Sequence, residues 1–193
     1  MYKHKTVETT SMRGRTIGMM LNTLYEKNVR EEQHSRRVSE LCVDIGNAMG
    51  LPEDVISKLR AIGLVHDIGK IAINDDVLNK PGKLTNEEFM EIKRHSAVGY
   101  RILNANNEMS EIAEHVLMHH ERLDGSGYPN GLKDDEIPLI TRILAVADSY
   151  DAMTSERTYR ASMTREEATI ELRKSSGTQF DAEVVQILLE KVL

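Results

Sequence analysis

Histidine and aspartate recur at widely separated points of this chain in positions that suit metal ligands. His66 and Asp67 open the run HDIGK, His119 and His120 open the run HHERLDGSGYP, and His34, His95 and Asp148 stand apart from both. Imidazole nitrogens and carboxylate oxygens with no thiolate among them form a donor set that favours iron or manganese and also accommodates zinc. Five imidazoles and two carboxylates are enough for two divalent ions, and two ions beside a phosphate ester can hydrolyse it. A single His or Asp on an apolar helix face is usually a hydrogen-bonded core residue. Here six of them, His34, His66, His95, His119, His120 and Asp148, each continue an apolar stripe, so they should converge inside a helical bundle. A buried carboxylate such as Asp67 or Asp148 needs a compensating cation, and neutral imidazoles beside it suit a metal better than an ion pair.

The elements that must position these groups are helices. Apolar spacing is helical nearly throughout, and Pro and Gly fall at the breaks, which gives an all-α, single-domain helical bundle. Residues 11–27 carry Ile17, Met20, Leu21 and Leu24 on one face of a lead-in helix. A second helix carries His34, Val38, Leu41, Cys42 and Ile45, with a stop at Gly50 and a restart at Pro52. The next runs through Ile56, Leu59, Ile62 and Gly63 to His66. Thr85 and Glu88 have the spacing of a capping box and open a helix through Phe89 and Ile92 to His95. Ile112 and Val116 lead to His119 and His120, a loop fills residues 124–138, and Ile140, Ile143, Leu144 and Ala147 place Asp148 inward. Thr164 with Glu167, and then Asp181, start two closing helices.

Composition bounds what such a bundle can be. A chain of 193 residues can bury a core without disulfides or structural zinc, so a metal here is functional rather than structural. The single cysteine, Cys42, excludes an internal disulfide and fits a reducing, cytoplasmic compartment. No apolar run approaches membrane-spanning length, and residues 1–5 lack a following apolar stretch for a secretory signal. A net charge of −6 argues against a nucleic-acid polymer as partner, while leaving room for a small phosphorylated ligand held by local cations.

The ordered motifs HDIGK, KPGKLT (residues 80–85), RHSAVGY around His95, HHERLDGSGYP and ADSYDAMTSERTYR (residues 147–160) resemble the HD-GYP family, the bacterial branch of HD-domain phosphohydrolases that cleave cyclic dinucleotides. The resemblance runs from about Arg30 to the C-terminus. It implies an HD-type helical domain over residues 30–193, preceded by a lead-in or linker over residues 1–29. It further implies one metal held by His34, His66, Asp67 and Asp148 and a second by Asp67, His95, His119 and His120, with Asp67 bridging. The implied activity is hydrolysis of cyclic di-GMP to pGpG, and onward to GMP, by a hydroxide formed between the ions. Asp67 and Lys70 are then the catalytic pair, with Lys70 one turn beyond Asp67 if the helix continues and directed to the scissile phosphate or the water. Tyr128, Arg157 and Arg160 are implied substrate contacts. Family members that hold a third metal carry Glu four residues before the first His; Arg30 occupies that place here, which favours two ions, and Glu31 reaches a metal only if the helix start is shifted.

Three alternatives share this sequence. A catalytically weak module that binds the cyclic dinucleotide or a partner protein is one, an enzyme preferring cyclic GMP-AMP is another, and a mononucleotide phosphohydrolase is the third. The lead-in helix further suggests a homodimer or an upstream sensor or receiver domain. His115, four residues before His119, mimics a zinc-binding helix pair but lies outside the family pattern. Asp124 either supports a metal-bound His or fixes a turn, His4 belongs to a tail, the ten methionines read as packing, and the mixed charges over residues 87–94 read as a solvated helix face.

Overall fold

A computed structural model of the chain describes Gly18, residues 29–155 and residues 162–193. The expected lead-in helix, His4, and the arginines Arg157 and Arg160 lie outside the described residues. Those described are helical and form no strand beyond isolated bridge pairs, so the all-α expectation holds. The helices are α1 (Val29–Ala48), α2 (Glu53–Val65), the short α3 (Asp75–Leu78), α4 (Asn86–Asn104), α5 (Ser110–Met118), α6 (Leu139–Thr154), α7 (Arg165–Lys174) and α8 (Ala182–Ile187). A tight 3₁₀ segment, Ile68–Ala72, links α2 to α3, and a wider π-type turn, Leu188–Val192, extends α8.

Each helix exists because its apolar stripe finds a partner. Val38, Cys42 and Ile45 of α1 pack with Ile56, Leu59 and Ile62 of α2 and with Ile143, Leu144 and Ala147 of α6, all buried. Leu103, Ile112 and Val116 from α4 and α5 extend this core, and Leu172, Val184 and Leu188 close it. The capping boxes at Thr85/Glu88 and Thr164/Glu167 form as read from sequence, and Asp181 accepts from the backbone N–H groups of Glu183 and Val184.

Two seams bring the elements closer than ordinary side chains allow. A Cβ on Gly63 of α2 would lie 2.5 Å from the Cα of Ser39 of α1, and one on Gly46 of α1 would lie 2.7 Å from the methyls of Ile56 and Leu59. As the contact moves up one helix it moves down the other, so α1 and α2 are an antiparallel pair. The second seam is tighter. A Cβ on Gly69, in the 3₁₀ segment, would fall 1.9 Å from the carbonyl oxygen of His95 and 2.6 Å from the amide of Gly99, so only glycine lets this segment lie against the backbone of α4. These two seams set α1, α2, the 3₁₀ segment and α4 around one point. No helix of the described residues is long and apolar enough to cross a membrane.

Candidate metal centre

Five helices, with the turn that follows α2, deliver the expected residues to that point. His34 projects from the first turns of α1, and His66 ends α2 in helical geometry. Asp67 then leaves the helix at φ −96°, ψ 9°, and the chain tightens from 3.6 to about three residues per turn. The expected continuation of α2 to Lys70 is therefore corrected to a 3₁₀ turn, and the consequence is closer contact, because residues i and i+3 eclipse in that geometry. Lys70 Nζ lies 2.7 Å from Asp67 Oδ2 and donates to Glu31 Oε2 at 2.9 Å. His95 comes from α4, His119 and His120 from the end of α5, and Asp148 from α6.

Asp67 stands at the centre. Its Oδ2 lies 3.2 Å from His66 Nε2 and 3.6 Å from His34 Nε2, while its Oδ1 lies 3.4 Å from His95 Nε2. The carboxylate thus presents one oxygen to each side. On the first side Asp148 Oδ1 is 3.3 Å from His34 Nε2 and 3.8 Å from His66 Nε2. On the second side His95 Nε2 is 3.2 Å from both His119 Nε2 and His120 Nε2. His34, His66 and Asp67 form one group with ligand-type atoms close enough for an ion, and His95, His119 and His120 form another.

The hydrogen-bond pattern tests whether cations fit. His66 Nδ1 faces the carbonyl of Gly63 at 2.9 Å, His95 Nδ1 that of Ile92 at 2.7 Å, and His119 Nδ1 that of Val116 at 2.6 Å. A carbonyl only accepts, so each Nδ1 carries a proton and Nε2 is the atom turned to the centre, bare in the neutral ring. For His66, burial is outweighed by Asp67 and Asp148, which raise its pKa and would draw a cation by the same field. Bare nitrogens 3.2 Å apart cannot hydrogen-bond to each other, and buried His66 Nε2 has no hydrogen-bond partner at all. Converging lone pairs beside a carboxylate are what a metal cation satisfies, so the donor set fits.

Electrostatics divides the two sides. Burial pushes His120 down to about 4 and also lowers His95 and His119, so this trio is neutral at pH 7 and suited to ligation. Burial opposes charge on His34 as well, but the hydrogen bonds that it donates to Asp148, Asp151 and Asp67 outweigh it and raise the group to about 11. Carboxylates that draw a proton so strongly to an imidazole draw a metal cation by the same field. Burial works against ionised Asp67, yet Lys70 and the imidazoles hold it well below the usual carboxylate range. Lys70 is raised by Asp67 and Glu31 against burial, so it stays protonated.

Asp151, which sequence reasoning missed, supports His34 from behind. His34 Nδ1 donates to Asp151 Oδ2 at 2.7 Å, and Asp151 is itself gripped by Arg37 through Nε at 2.5 Å and Nη2 at 3.0 Å. The carboxylate fixes which His34 nitrogen faces inward. Its only sequence signal was its place three residues after Asp148, one turn along the same helix face. Glu121, also missed, is buried and accepts from the backbone N–H groups of Asn130 at 2.7 Å and Leu132 at 3.0 Å, which folds the loop that carries Tyr128 back over the centre. Tyr128 lies with its ring centroid 4.8 Å from that of His120.

α6 ends at Thr154 with Ser155 in extended backbone, and Arg157 and Arg160 lie outside the described residues. Other candidates stand apart from the two groups. His115 is buried and pairs with Thr141 Oγ1 at 2.8 Å, outside both groups as read. Asp124 is exposed and accepts from the amide of Ser126 at 2.8 Å, which resolves its two readings in favour of the turn. Glu31 is engaged by Lys70 rather than grouped with the imidazoles. Cys42 is a buried core residue.

Comparison with known proteins places the chain. A family model described as HD domain matches residues 18–184. The chain belongs to the HD-domain family. This HD domain is 44% identical over 174 residues to a protein of Thermotoga maritima named cyclic di-GMP phosphodiesterase, covering 89% of the chain and 47% of that relative. It is 35% identical over 173 residues to 3′3′-cGAMP-specific phosphodiesterase 2 of Vibrio cholerae, covering 89% of the chain and 33% of that relative. It therefore spans about half the length of the first and about a third of the second. The fold of the HD domain is shared with an HDG"Y"P protein of Bdellovibrio bacteriovorus at a TM-score of 0.70 and 16% identity, over 92% of this chain and 61% of that one. It is shared also with the PgpH HD domain of L. monocytogenes in complex with cyclic-di-AMP, at 0.60 and 19%, over 88% and 91%. The HD-GYP resemblance carried by the motifs agrees with these relatives, as does the single-domain helical fold.

Proposed function

We propose that this HD domain is a phosphodiesterase that hydrolyses cyclic di-GMP to pGpG, and onward to GMP, with two divalent ions held across Asp67. The observation that carries the reading is the set of bare, inward-facing Nε2 atoms of His66, His95 and His119 around a carboxylate that offers one oxygen to each side. His34, His66, Asp67 and Asp148 are proposed to hold one ion, and Asp67, His95, His119 and His120 the other, with iron or manganese favoured and zinc compatible. Bound there, the ions would supply the Lewis acidity that lets water act as a nucleophile near neutral pH and offset charge on the phosphoryl oxygens.

The side chains of the chain do the remaining work. Lys70, kept protonated by Asp67 and Glu31, is a fixed positive charge beside the position of the scissile phosphate, where negative charge grows as the bond to phosphorus forms. Tyr128, held over His120 by the loop that Glu121 organises, screens that position and borders the substrate, and Arg157 and Arg160 are proposed phosphate contacts. Residues 30–193 form the proposed catalytic unit in a cytoplasmic protein, and residues 1–29 the proposed route by which a second copy or a sensor acts on it. A second reading, cyclic GMP-AMP as preferred substrate, is favoured by the likeness to the Vibrio cholerae relative named for that specificity.

The test is to purify the protein without oxygen, count its metals, and follow cyclic di-GMP and cyclic GMP-AMP by chromatography beside Asp67→Ala. Two metals per chain with conversion to pGpG, and loss of both metal and turnover in Asp67→Ala, are expected. Fully metallated protein that leaves both cyclic compounds intact would transfer the case to the binding-module alternative, and three tightly held metals would overturn the two-ion assignment argued from Arg30.

A further inference from the structure

A path of rings leads outward from the second metal group to a cation that the proposed chemistry leaves unused. His120 stacks on Tyr128, Lys93 Nζ sits 4.9 Å from the centroid of the Tyr128 ring, and the same ammonium sits 4.8 Å from the centroid of Phe89. Phe89 and Lys93 are one turn apart on α4, the helix that supplies His95. The sequence placed Phe89 in a stripe leading to His95 and gave this stretch a solvated charged face. Instead Phe89 is 47% exposed, and its ring is covered by Lys93, which forms no ion pair with a carboxylate among the described residues. Isolated exposed rings are ordinary. This one lies at the end of a continuous ring and cation path that begins at a proposed metal ligand.

Resting on the proposed phosphodiesterase reading, we infer that Phe89 and Lys93 form a base subsite that selects guanine over adenine in the cyclic dinucleotide. With the scissile phosphate at the metal centre, a base projecting past Tyr128 meets Phe89 as a stacking surface, a contact open to every base. Lys93 supplies the discrimination. Its ammonium only donates, guanine offers two adjacent acceptors at N7 and O6, and adenine offers N7 beside an amino group that also donates. A donor at that edge therefore rewards guanine and opposes adenine.

The experiment measures kcat and KM of the metal-loaded full chain with cyclic di-GMP and with cyclic di-AMP, for wild type, Lys93→Met, Lys93→Arg and Phe89→Leu. Both positions are partly exposed, and thermal melts confirm that each variant is folded. Wild type is expected to prefer cyclic di-GMP, and Lys93→Met to raise its KM for that compound about tenfold with little change in kcat, narrowing the preference. Lys93→Arg is expected to retain the preference, and Phe89→Leu to raise KM for both compounds alike. A Lys93→Met variant with the wild-type preference overturns the inference while leaving the phosphodiesterase reading intact. If wild type cleaves neither compound, nor cyclic GMP-AMP, the phosphodiesterase reading fails, and direct titration of cyclic di-GMP and cyclic di-AMP onto metal-loaded protein then decides the subsite alone, with equal affinities refuting it.

Discussion

Asp151 shows how much of a metal centre lies one residue behind its ligands. His34 donates to Asp151 through Nδ1, and Arg37 clamps that carboxylate from the far side, so the inward nitrogen of His34 is chosen by a residue that need never touch a metal. Replacing Asp151 by Asn keeps the shape and removes the charge. The expected result is metal affinity lower by about 10- to 100-fold in chelator competition, with the fold retained by circular dichroism. Unchanged affinity would mean that the His34 ring is held by packing alone. At this scale the sequence was most legible where a motif repeats a chemistry, as at His66, Asp67, His119 and His120. It was least legible where the partner lies far along the chain, since Asp151 meets His34 across 117 positions and no local pattern announces that.

Among the elements, the caps were readable because their signals are local: Thr85 with Glu88, Thr164 with Glu167, and Asp181 all start helices where their spacing says they should. The switch from α-helix to 3₁₀ after His66 was not readable, since HDIGK carries no breaker before Gly69 and the tightening is imposed by contact with α4. Nor was the α1/α2 seam, where Gly63 looks like one more small residue on an apolar stripe. Gly63→Ala puts a methyl 2.5 Å from Ser39 Cα and must part the two helices. Overpacking of this kind costs about 1–3 kcal/mol, so a lower denaturation midpoint is expected. Because His34 and His66 lie on opposite sides of that seam, weaker metal retention should accompany it. A variant as stable and as well metallated as wild type would show that the helices slide freely.

For the molecule as a whole, metal and fold are expected to be linked. A ligand that binds only the folded chain stabilises it by about 2.7 kcal/mol at a hundred times its dissociation constant. Chelation should accordingly lower the melting temperature of wild type, and the same treatment should leave Asp67→Ala unmoved, as scanning calorimetry with and without chelator will show. Equal shifts in both proteins would place the stabilising ion elsewhere. The general architecture followed from periodicity because each helix of this bundle needs only one apolar face, and that face is written every three or four residues.

The backbone contact between Gly69 and His95 has a bearing on how this centre can diversify. With the segment after Asp67 pressed against the main chain of α4, the floor of the cleft has no slack, and even one methyl group there has nowhere to go. Room for a bulkier or differently shaped guest has to be found in the roof instead, in the stretch folded around Glu121 and in the outward turn of α4. Variation among centres built this way should accumulate overhead while the floor stays fixed.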